Sequence, residues 1–184
     1  MAQDTAATPS VSDQRSSYGY DDLIASGLGK LPGMPQLPAP PMLVFDRITE
    51  ITTDGGEANK GKVRAELDIR PDLFFWACHF VGKPVMPGCL EGDGLWQLLG
   101  FFLGWIGTPG EGFALGVGEL KFSAKILPTA KLVQYGVDVT RIVRIEKKKS
   151  VIAMGNGWVK RDGEIVCTAQ DLKVGFSAQL EGVG

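Results

Sequence analysis

The chain has 184 residues, of which 44% are hydrophobic and 22% charged, and its formal net charge at pH 7 is −2. This length supports one folded domain with a sizeable core. The charge lacks the basic excess that nonspecific nucleic-acid binding requires. The 25 glycines favour a sheet with tight turns over a helical bundle. Composition therefore predicts a single globular domain that does not bind nucleic acid.

The N-terminal residues, the cysteines and the apolar runs of the chain predict its cellular compartment. Residues 1–17 are small and polar and contain no basic segment followed by an apolar core, so we expect a disordered tail without a secretory signal, followed by one domain over 18–184. Three cysteines lie in apolar runs and not in a spaced disulfide framework, which favours a reducing compartment. The longest apolar stretch, Leu95–Gly107, is shorter than the ~20 residues that cross a bilayer. A cytoplasmic protein without membrane contact is predicted.

The first half of the domain predicts a short helix, an extended segment and a hairpin. Tyr18–Gly27 carries Asp21 and Asp22 before its apolar residues and ends in glycine, which is typical of a short helix. Leu31–Pro41 contains five prolines and must run extended along the surface or in a cleft. Two alternating apolar runs follow, and the turn residues Asp54-Gly55-Gly56 between them predict a β-hairpin.

The second half predicts one long helix followed by strands. Proline is acceptable in a first helical turn, so Pro87 predicts a helix that runs to about Gly107. It carries glycines at 92, 94, 100 and 104, which cost ~1 kcal/mol each in an isolated helix and predict close packing against strands. The later strand-like runs are Phe113–Ile126, Leu132–Ile145, Val151–Lys160 and Ile165–Phe176. Strands on both sides of one apolar helix predict an α+β fold with an antiparallel sheet curled around that helix.

The candidate chemistry lies at the start of this helix. Asp93 lies among apolar residues and four positions before Gln97, whose amide can hold the carboxylate on one helix face, so Asp93 is a candidate proton donor. His79, the one histidine, lies in the preceding loop and is a candidate base. The free backbone N–H groups of Gly88 and Cys89 can form an oxyanion hole. The alternatives are a solvated helix acid and a structural histidine.

Other site types have weaker support in the sequence. Cys78, His79 and Cys89 lack CxxC or HxxxH spacing and a fourth soft ligand, so no metal site is predicted. A Cys–His nucleophile pair that uses Cys89 stays open, because a helix N-terminus activates a thiolate, but simple burial also explains a cysteine here. The string GVGE at 116–119 lacks the spacing of a phosphate-binding loop.

The central block and the motifs that follow it resemble a known enzyme family. The stretch CHFVGKPVMPGCLEGDGLWQLLGFFLGW, followed by ALGVGELKF, LPTAK and TAQDLKVG, is similar to the β-hydroxydecanoyl-acyl-carrier-protein dehydratase/isomerases of bacterial type II fatty acid synthesis. The resemblance covers about Tyr18 to Phe176. It implies the hot-dog fold, in which a curved antiparallel sheet wraps a long central helix. Here Glu91-Gly92 and Gly94 replace the bulkier or apolar residues usual around the acid.

The resemblance also implies an assembly and a mechanism. It implies a homodimer in which His79 of one subunit faces Asp93 of the other, with Val85 orienting the imidazole and Gln97 orienting the acid. The substrate would be a β-hydroxyacyl chain of about ten carbons on the phosphopantetheine arm of acyl carrier protein, dehydrated to the trans-enoyl thioester and isomerised to the cis-β,γ form without a cofactor. The rival functions are a hot-dog acyl-thioester hydrolase and a non-catalytic acyl-carrier binding protein.

Docking of the carrier protein is expected at basic residues late in the chain. The carrier is acidic as a class, and the motifs RIV and DLKVG match the family around Arg141, Arg144 and Lys173. These three residues are the docking candidates, although solvated strand residues explain the same pattern. Lys147–Lys149 lie in a slightly extended turn and are interpreted as solvated.

Overall fold

The structure is a computed structural model that describes residues 14–145 and 150–177. In chain order its elements are helix α1 (Tyr20–Gly27), strands β1 (Arg47–Thr52) and β2 (Lys62–Asp68), a 3₁₀ helix (Phe74–Ala77), helix α2 (Gly88–Trp105), and strands β3 (Glu111–Gly116), β4 (Glu119–Phe122), β5 (Leu132–Ile145), β6 (Ser150–Arg161) and β7 (Glu164–Ser177).

The strands form one antiparallel sheet around α2. The sheet order is β1-β2-β5-β6-β7-β3, and β4 also pairs with β7, so that β3 and β4 cover two consecutive parts of the same long strand. Helix α2 contacts β2, β3, β5, β6 and β7. A curved antiparallel sheet around a long helix is the predicted α+β hot-dog architecture, which is thereby confirmed.

Side chains at alternate positions of the strands pack the sheet against the helix. In β5 the residues Val133, Tyr135, Val137 and Val139 are all fully buried while their neighbours Gln134 and Asp138 are only partly buried, as the two-residue period of a strand requires. Twelve of the eighteen residues of α2 are buried, so the helix packs on most of its circumference. The helix is therefore the core of the domain rather than a layer on its surface.

Different contacts explain why the glycines of α2 carry no side chain. A Cβ at Gly94 would lie 2.5 Å from the Tyr135 ring, so this glycine admits a strand side chain as predicted. A Cβ at Gly104 would lie 2.5 Å from the ring of Pro35, which belongs to the proline-rich segment and not to a strand. At Gly100 the nearest atom to a Cβ would be 3.8 Å away. A Cβ at Gly92 would lie 3.2 Å from Leu120 of β4. The prediction that strands explain the helix glycines is therefore right for Gly92 and Gly94 and wrong for Gly100 and Gly104.

The run predicted as one strand over 113–126 is two strands, because the backbone turns between them. Gly116 has φ of 152°, and the register against β7 shifts between Ala114 and Gly116. The N–H of Gly118 then donates to the Gln170 carbonyl at 2.9 Å before β4 begins. The glycines supply the backbone freedom for this break, which the apolar pattern alone did not indicate.

The structure describes only the last four residues of the predicted tail. Residues 1–13 lie outside the described residues. Within the last four residues of the predicted tail, the carbonyl of Arg15 accepts a 3.0 Å hydrogen bond from the Trp105 indole, and the Arg15 guanidinium pairs with Asp22 at 2.8 Å. Arg15, inside the predicted tail, therefore contacts both helices of the domain.

The packing at Gly94 can be tested against Gly100. We expect Gly94→Ala to lower the free energy of unfolding by about 1–3 kcal/mol, because the added methyl overlaps the Tyr135 ring in a filled core. Gly100→Ala is the matched control, and we expect it to raise the same quantity by up to ~1 kcal/mol through helix propensity. Urea unfolding at one protein concentration measures both, and equal effects of the two substitutions would contradict the packing described.

Candidate active site

His79 is held by the loop between the 3₁₀ helix and α2. Its backbone N–H donates to the Phe75 carbonyl at 2.8 Å, and its own carbonyl accepts from the Val85 N–H at 2.7 Å. The ring Nδ1 lies 2.9 Å from the carbonyl oxygen of Val85. Because a carbonyl can only accept, Nδ1 carries the hydrogen, and in the neutral ring Nε2 has the free lone pair. The contact with Val85 thus has the geometry expected of an orienting group.

The surroundings of His79 leave its ring accessible. The ring packs on the neighbouring Phe80 with centroids 4.0 Å apart, and the peptide bond between these two residues is cis. Phe80 is 58% exposed and His79 is half-buried. His79 is therefore not a core histidine, and its Nε2 is free of any described hydrogen bond.

Asp93 is held on α2 by the residue one turn further on. The Gln97 amide donates to Asp93 Oδ2 at 2.5 Å and to the Met42 carbonyl at 2.8 Å. This double contact fixes the carboxylate of Asp93 and also ties the helix to the end of the proline-rich segment. The predicted i, i+4 pair is present, so Asp93 is not a freely solvated helix residue.

Asp93 lines an apolar cavity of about 330 Å³ between α2, the proline-rich segment, β3 and β7. Most of its walls are apolar, including Leu37, Trp96, Phe101, Val174 and Phe176. A carboxylate at the wall of an apolar cavity suits a ligand that has one polar reacting group and a long hydrocarbon part.

The chain does not bring all the predicted site residues into that cavity. Gln97 lies beside Asp93, but His79, Gly88 and Cys89 are not among the residues that line it. The structure thus gives two separate anchored pairs, His79 with Val85 and Asp93 with Gln97.

Gly88 and Cys89 form the first turn of α2, where backbone N–H groups have no acceptor within the helix. The Phe122 ring covers Gly88 so closely that a Cβ there would lie 3.1 Å from it.

Cys78 and Cys89 are exposed free thiols and Cys167 is a buried one. Among the described residues there is no cluster of three metal-ligating side chains, and neither described helix is long and apolar enough to span a membrane.

Glu91 is an unusual group that the sequence analysis did not select. It is only 2% exposed, and its Oε2 has no hydrogen-bond partner among the described residues. Burial raises its pKa to about 8, so the side chain is largely neutral at pH 7. The available signal was its position, because residues 91, 95 and 98 share one face of a helix and the other two are leucines.

The charge of Glu91 affects two further buried groups on the sheet. The Tyr135 hydroxyl on β5 is buried without a described partner, and burial, together with the charges of Glu91 and Asp93, raises its pKa. The Cys167 thiol on β7 has its pKa raised to about 12 by burial and then by the Glu91 charge. Glu91 therefore lies on the sheet side of α2, whereas Asp93 lies on the cavity side.

The docking candidates lie on β5 and β7. Arg141 pairs in register with Met154 of β6, and Met154 pairs with Lys173, so the three side chains share one face of the sheet. Two strand spacings separate Arg141 from Lys173 by about 10 Å. Arg144 is exposed nearer the end of β5, opposite Val151, and is not in this row. Lys147–Lys149 lie outside the described residues.

The fold and the anchored acid at an apolar cavity define the class of hot-dog enzymes that act as dehydratases or process thioesters. The model of the FabA-like domain matches residues 37–170, and the chain belongs to this family. The matched region contains both anchored pairs, which lie at residues 79 and 85 and at residues 93 and 97.

Solved structures agree on the fold. The dehydratase heterocomplex ApeI:P from Xenorhabdus doucetiae is 12% identical, with 77% of this chain and 86% of that chain covered and a TM-score of 0.56. A putative esterase from Mycobacterium tuberculosis is 15% identical, with coverages of 73% and 92% and a TM-score of 0.50. At these identities the similarity extends to the fold alone, and the fold is common to proteins described as dehydratases and as esterases.

The buried Glu91 predicts a pH-dependent stability. Its folded pKa of about 8 lies above the ordinary value of 4.5, so between these values the folded chain holds a proton that the unfolded chain has lost. Stability therefore falls as pH rises from about 5 to 8. We expect Glu91→Gln to remove this slope and to raise the free energy of unfolding at pH 8 by at most a few kcal/mol.

Urea unfolding over that pH range measures the effect. Glu111→Gln, at an exposed position of β3, is the matched control and should keep the slope of the unsubstituted chain. Parallel pH profiles for Glu91→Gln and the unsubstituted chain would contradict a neutral, buried Glu91.

Proposed function

We propose that the chain dehydrates β-hydroxyacyl thioesters of about ten carbons carried by acyl carrier protein, and isomerises the product to the cis-β,γ-enoyl thioester for unsaturated fatty acid synthesis. The observation that carries the proposal is the anchoring of both titratable groups. Val85 holds His79 with its Nε2 free, and Gln97 holds Asp93 at the wall of an apolar cavity.

In the dehydration, His79 Nε2 takes a proton from the α-carbon of the thioester. The N–H groups of Gly88 and Cys89 stabilise the negative charge that develops on the thioester oxygen. The electron pair then forms the α,β double bond as the C–O bond of the β-hydroxyl breaks, and Asp93 donates the proton that converts this hydroxyl into water. The products are one water molecule and the trans-enoyl thioester.

In the isomerisation, His79 removes a proton from the γ-carbon and a proton returns to the α-carbon, so the double bond moves to the β,γ position. The dehydration moves protons and releases one water molecule, and the isomerisation moves only protons. Neither step transfers electrons to an acceptor, so the proposed chemistry uses no redox cofactor.

We further propose a homodimer in which His79 of one subunit completes the site of Asp93 in the other. The separation of the two anchored pairs in one chain supports it, because His79 is not among the residues that line the Asp93 cavity. The exposed edge of the sheet supports it as well. Phe113 and Leu115 on β3 and Phe122 on β4 are 37%, 47% and 50% exposed, and an apolar edge strand is a typical dimer contact.

The opposite edge of the sheet differs in this respect. Along β1 the chain is covered by Tyr18, which exchanges two 2.9 Å backbone hydrogen bonds with Ile48. One edge is therefore protected by the chain's own N-terminal residues, and the β3 edge is available to a second copy. We place this dimer in the cytoplasm, where the proposed carrier protein works.

The function is tested with a purified ten-carbon β-hydroxyacyl thioester. We expect an enoyl product by absorbance and mass, and we expect His79→Asn and Asp93→Asn each to lower the rate at least ~10²-fold, because general acid–base catalysis contributes that much. Circular dichroism and dimer mass serve as the folding control. Free acid and free thiol as products would favour the hydrolase, and binding without any product would favour the non-catalytic binding protein.

Carrier docking is tested by charge reversal in the row described above. We expect Arg141→Glu with Lys173→Glu to raise KM for the carrier-linked substrate several-fold and to weaken its salt dependence, because steering by opposite charges acts on association. Turnover of a small N-acetylcysteamine thioester should stay unchanged. Arg144→Glu, outside the row, is the comparison variant. Equal losses on both substrates would contradict docking at these residues.

A further inference from the structure

The buried acid Glu91 lies one helical turn after the backbone N–H groups of Gly88 and Cys89. Gly88 begins α2, and residues three positions apart in a helix are neighbours on one face, about 5–6 Å apart. Helical side chains also lean towards the N-terminus of their helix, so Glu91 lies over the turn that contains Gly88. These N–H groups are the oxyanion hole of the proposed dehydration.

The sheet connects Glu91 with the same turn. The Phe122 ring on β4 covers Gly88, and Phe122 pairs in register with Cys167 on β7. Paired residues of antiparallel strands have their side chains on one face of the sheet. Burial and then the Glu91 charge raise the pKa of the Cys167 thiol to about 12. Glu91 and the first turn of α2 therefore meet the same part of the sheet.

No cation among the described residues offsets a charge on Glu91. Its charge acts on Tyr135 of β5 and Cys167 of β7, whose raised pKa values keep both neutral at pH 7. Asp46, another acid that acts on Tyr135, is paired with Arg70 at 2.7 Å. The charged side chains of the surrounding strands alternate with residues that face the helix and point away from it: Lys62 and Arg64 of β2, Lys121 of β4, Asp138 of β5, Lys160 of β6 and Lys173 of β7.

The two protonation states of Glu91 act differently on the oxyanion hole. The thioester oxygen gains negative charge as the α-proton leaves, and a neutral Glu91 does not oppose that charge. A carboxylate repels it, and with an effective dielectric constant of about 20 a like charge about 8 Å away slows the step at least ~tenfold. The thioester is uncharged before the reaction, so the repulsion acts on turnover and not on substrate binding.

We propose that Glu91 is a pH-sensitive switch on the oxyanion hole: its neutral carboxyl permits turnover, and its carboxylate suppresses turnover at alkaline pH. This inference rests on the proposed function and adds a control to its site. Burial raises the pKa of Glu91 to about 8, so the carboxyl releases one proton to the solvent as the pH rises through this value. The switch therefore acts between neutral and mildly alkaline pH.

The test measures kcat and KM for the ten-carbon β-hydroxyacyl thioester from about pH 7 to about pH 9. We expect kcat of the unsubstituted chain to fall at least ~tenfold more than that of Glu91→Gln, which has nearly the same shape and cannot ionise, while KM changes equally in both. Asp93 is present in both chains, so its own titration affects them alike. Glu91→Met is a second variant without a titratable group if the first does not fold.

Two further variants serve as controls. Glu91→Asp keeps a titratable carboxyl and should keep the alkaline loss of kcat. Glu57→Gln changes an exposed carboxylate that accepts from the Asn156 amide at 2.7 Å, and it should keep the profile of the unsubstituted chain. Circular dichroism at each pH separates a loss of turnover from unfolding, and a return to about pH 7 should restore the rate.

A second readout needs no turnover. Cys89 is an exposed free thiol in the first turn of α2, and its alkylation by iodoacetamide passes through a thiolate, which is a negative charge at that turn. In a Cys78→Ser background we expect Glu91→Gln to react several-fold faster than the chain with Glu91 at about pH 8.5 and equally fast at about pH 7.

The two readouts separate the switch from the proposed function. A difference in alkylation without any dehydration supports a charge switch at Glu91, and in that case the proposed function fails. Dehydration with the same alkaline loss in Glu91→Gln and the unsubstituted chain overturns the inference. Alkylation rates that are equal at both pH values overturn it as well.

Discussion

The burial of α2 inside the curved sheet determines where the other elements of the domain can pack. A helix that is apolar on most of its circumference must be covered on most sides, and here five strands cover part of it and the proline-rich segment covers another part. The two covers do not meet over the face that carries Asp93 and Gly100. The cavity is the space left between them, so the same packing that stabilises the domain also creates its candidate site.

The helix carries two acids with opposite environments. Glu91 faces the sheet, where burial raises its pKa to about 8 and no described partner satisfies its Oε2. Asp93 is two residues further on, faces the cavity and is held by Gln97. A change of about 200° around the helix axis separates these two faces. The two acids are therefore close in sequence but lie in different environments. Of the two, only Asp93 is placed where a substrate can reach it.

The features of the structure that depend on local sequence pattern could be predicted. The bounds of β5 and the start of α2 beside Pro87 follow from apolar periodicity and proline chemistry. The pairing of Asp93 with Gln97 follows from helical spacing, since residues four apart face each other. The contact of His79 with the Val85 carbonyl was expected from the family resemblance and has the expected geometry.

The features that depend on contacts between residues distant in sequence could not be predicted from the local sequence pattern. Gly104 is explained by Pro35, which is 69 positions earlier and has no periodic relation to the helix. The break between β3 and β4 depends on how the chain follows β7, and the contact of Arg15 with Trp105 depends on the completed helix. Burial of Glu91 is a similar case, because carboxylates are almost never fully buried without a partner.

In the proposed dimer the acid and the base of one site come from two subunits. The most direct measurement mixes the His79→Asn and Asp93→Asn variants, each inactive alone, and verifies subunit exchange by mass. Random exchange makes about half of the dimers mixed, each with one intact site of its two. We therefore expect recovery of about a quarter of the unsubstituted activity per total protein. Verified exchange with no recovered activity would contradict a shared site.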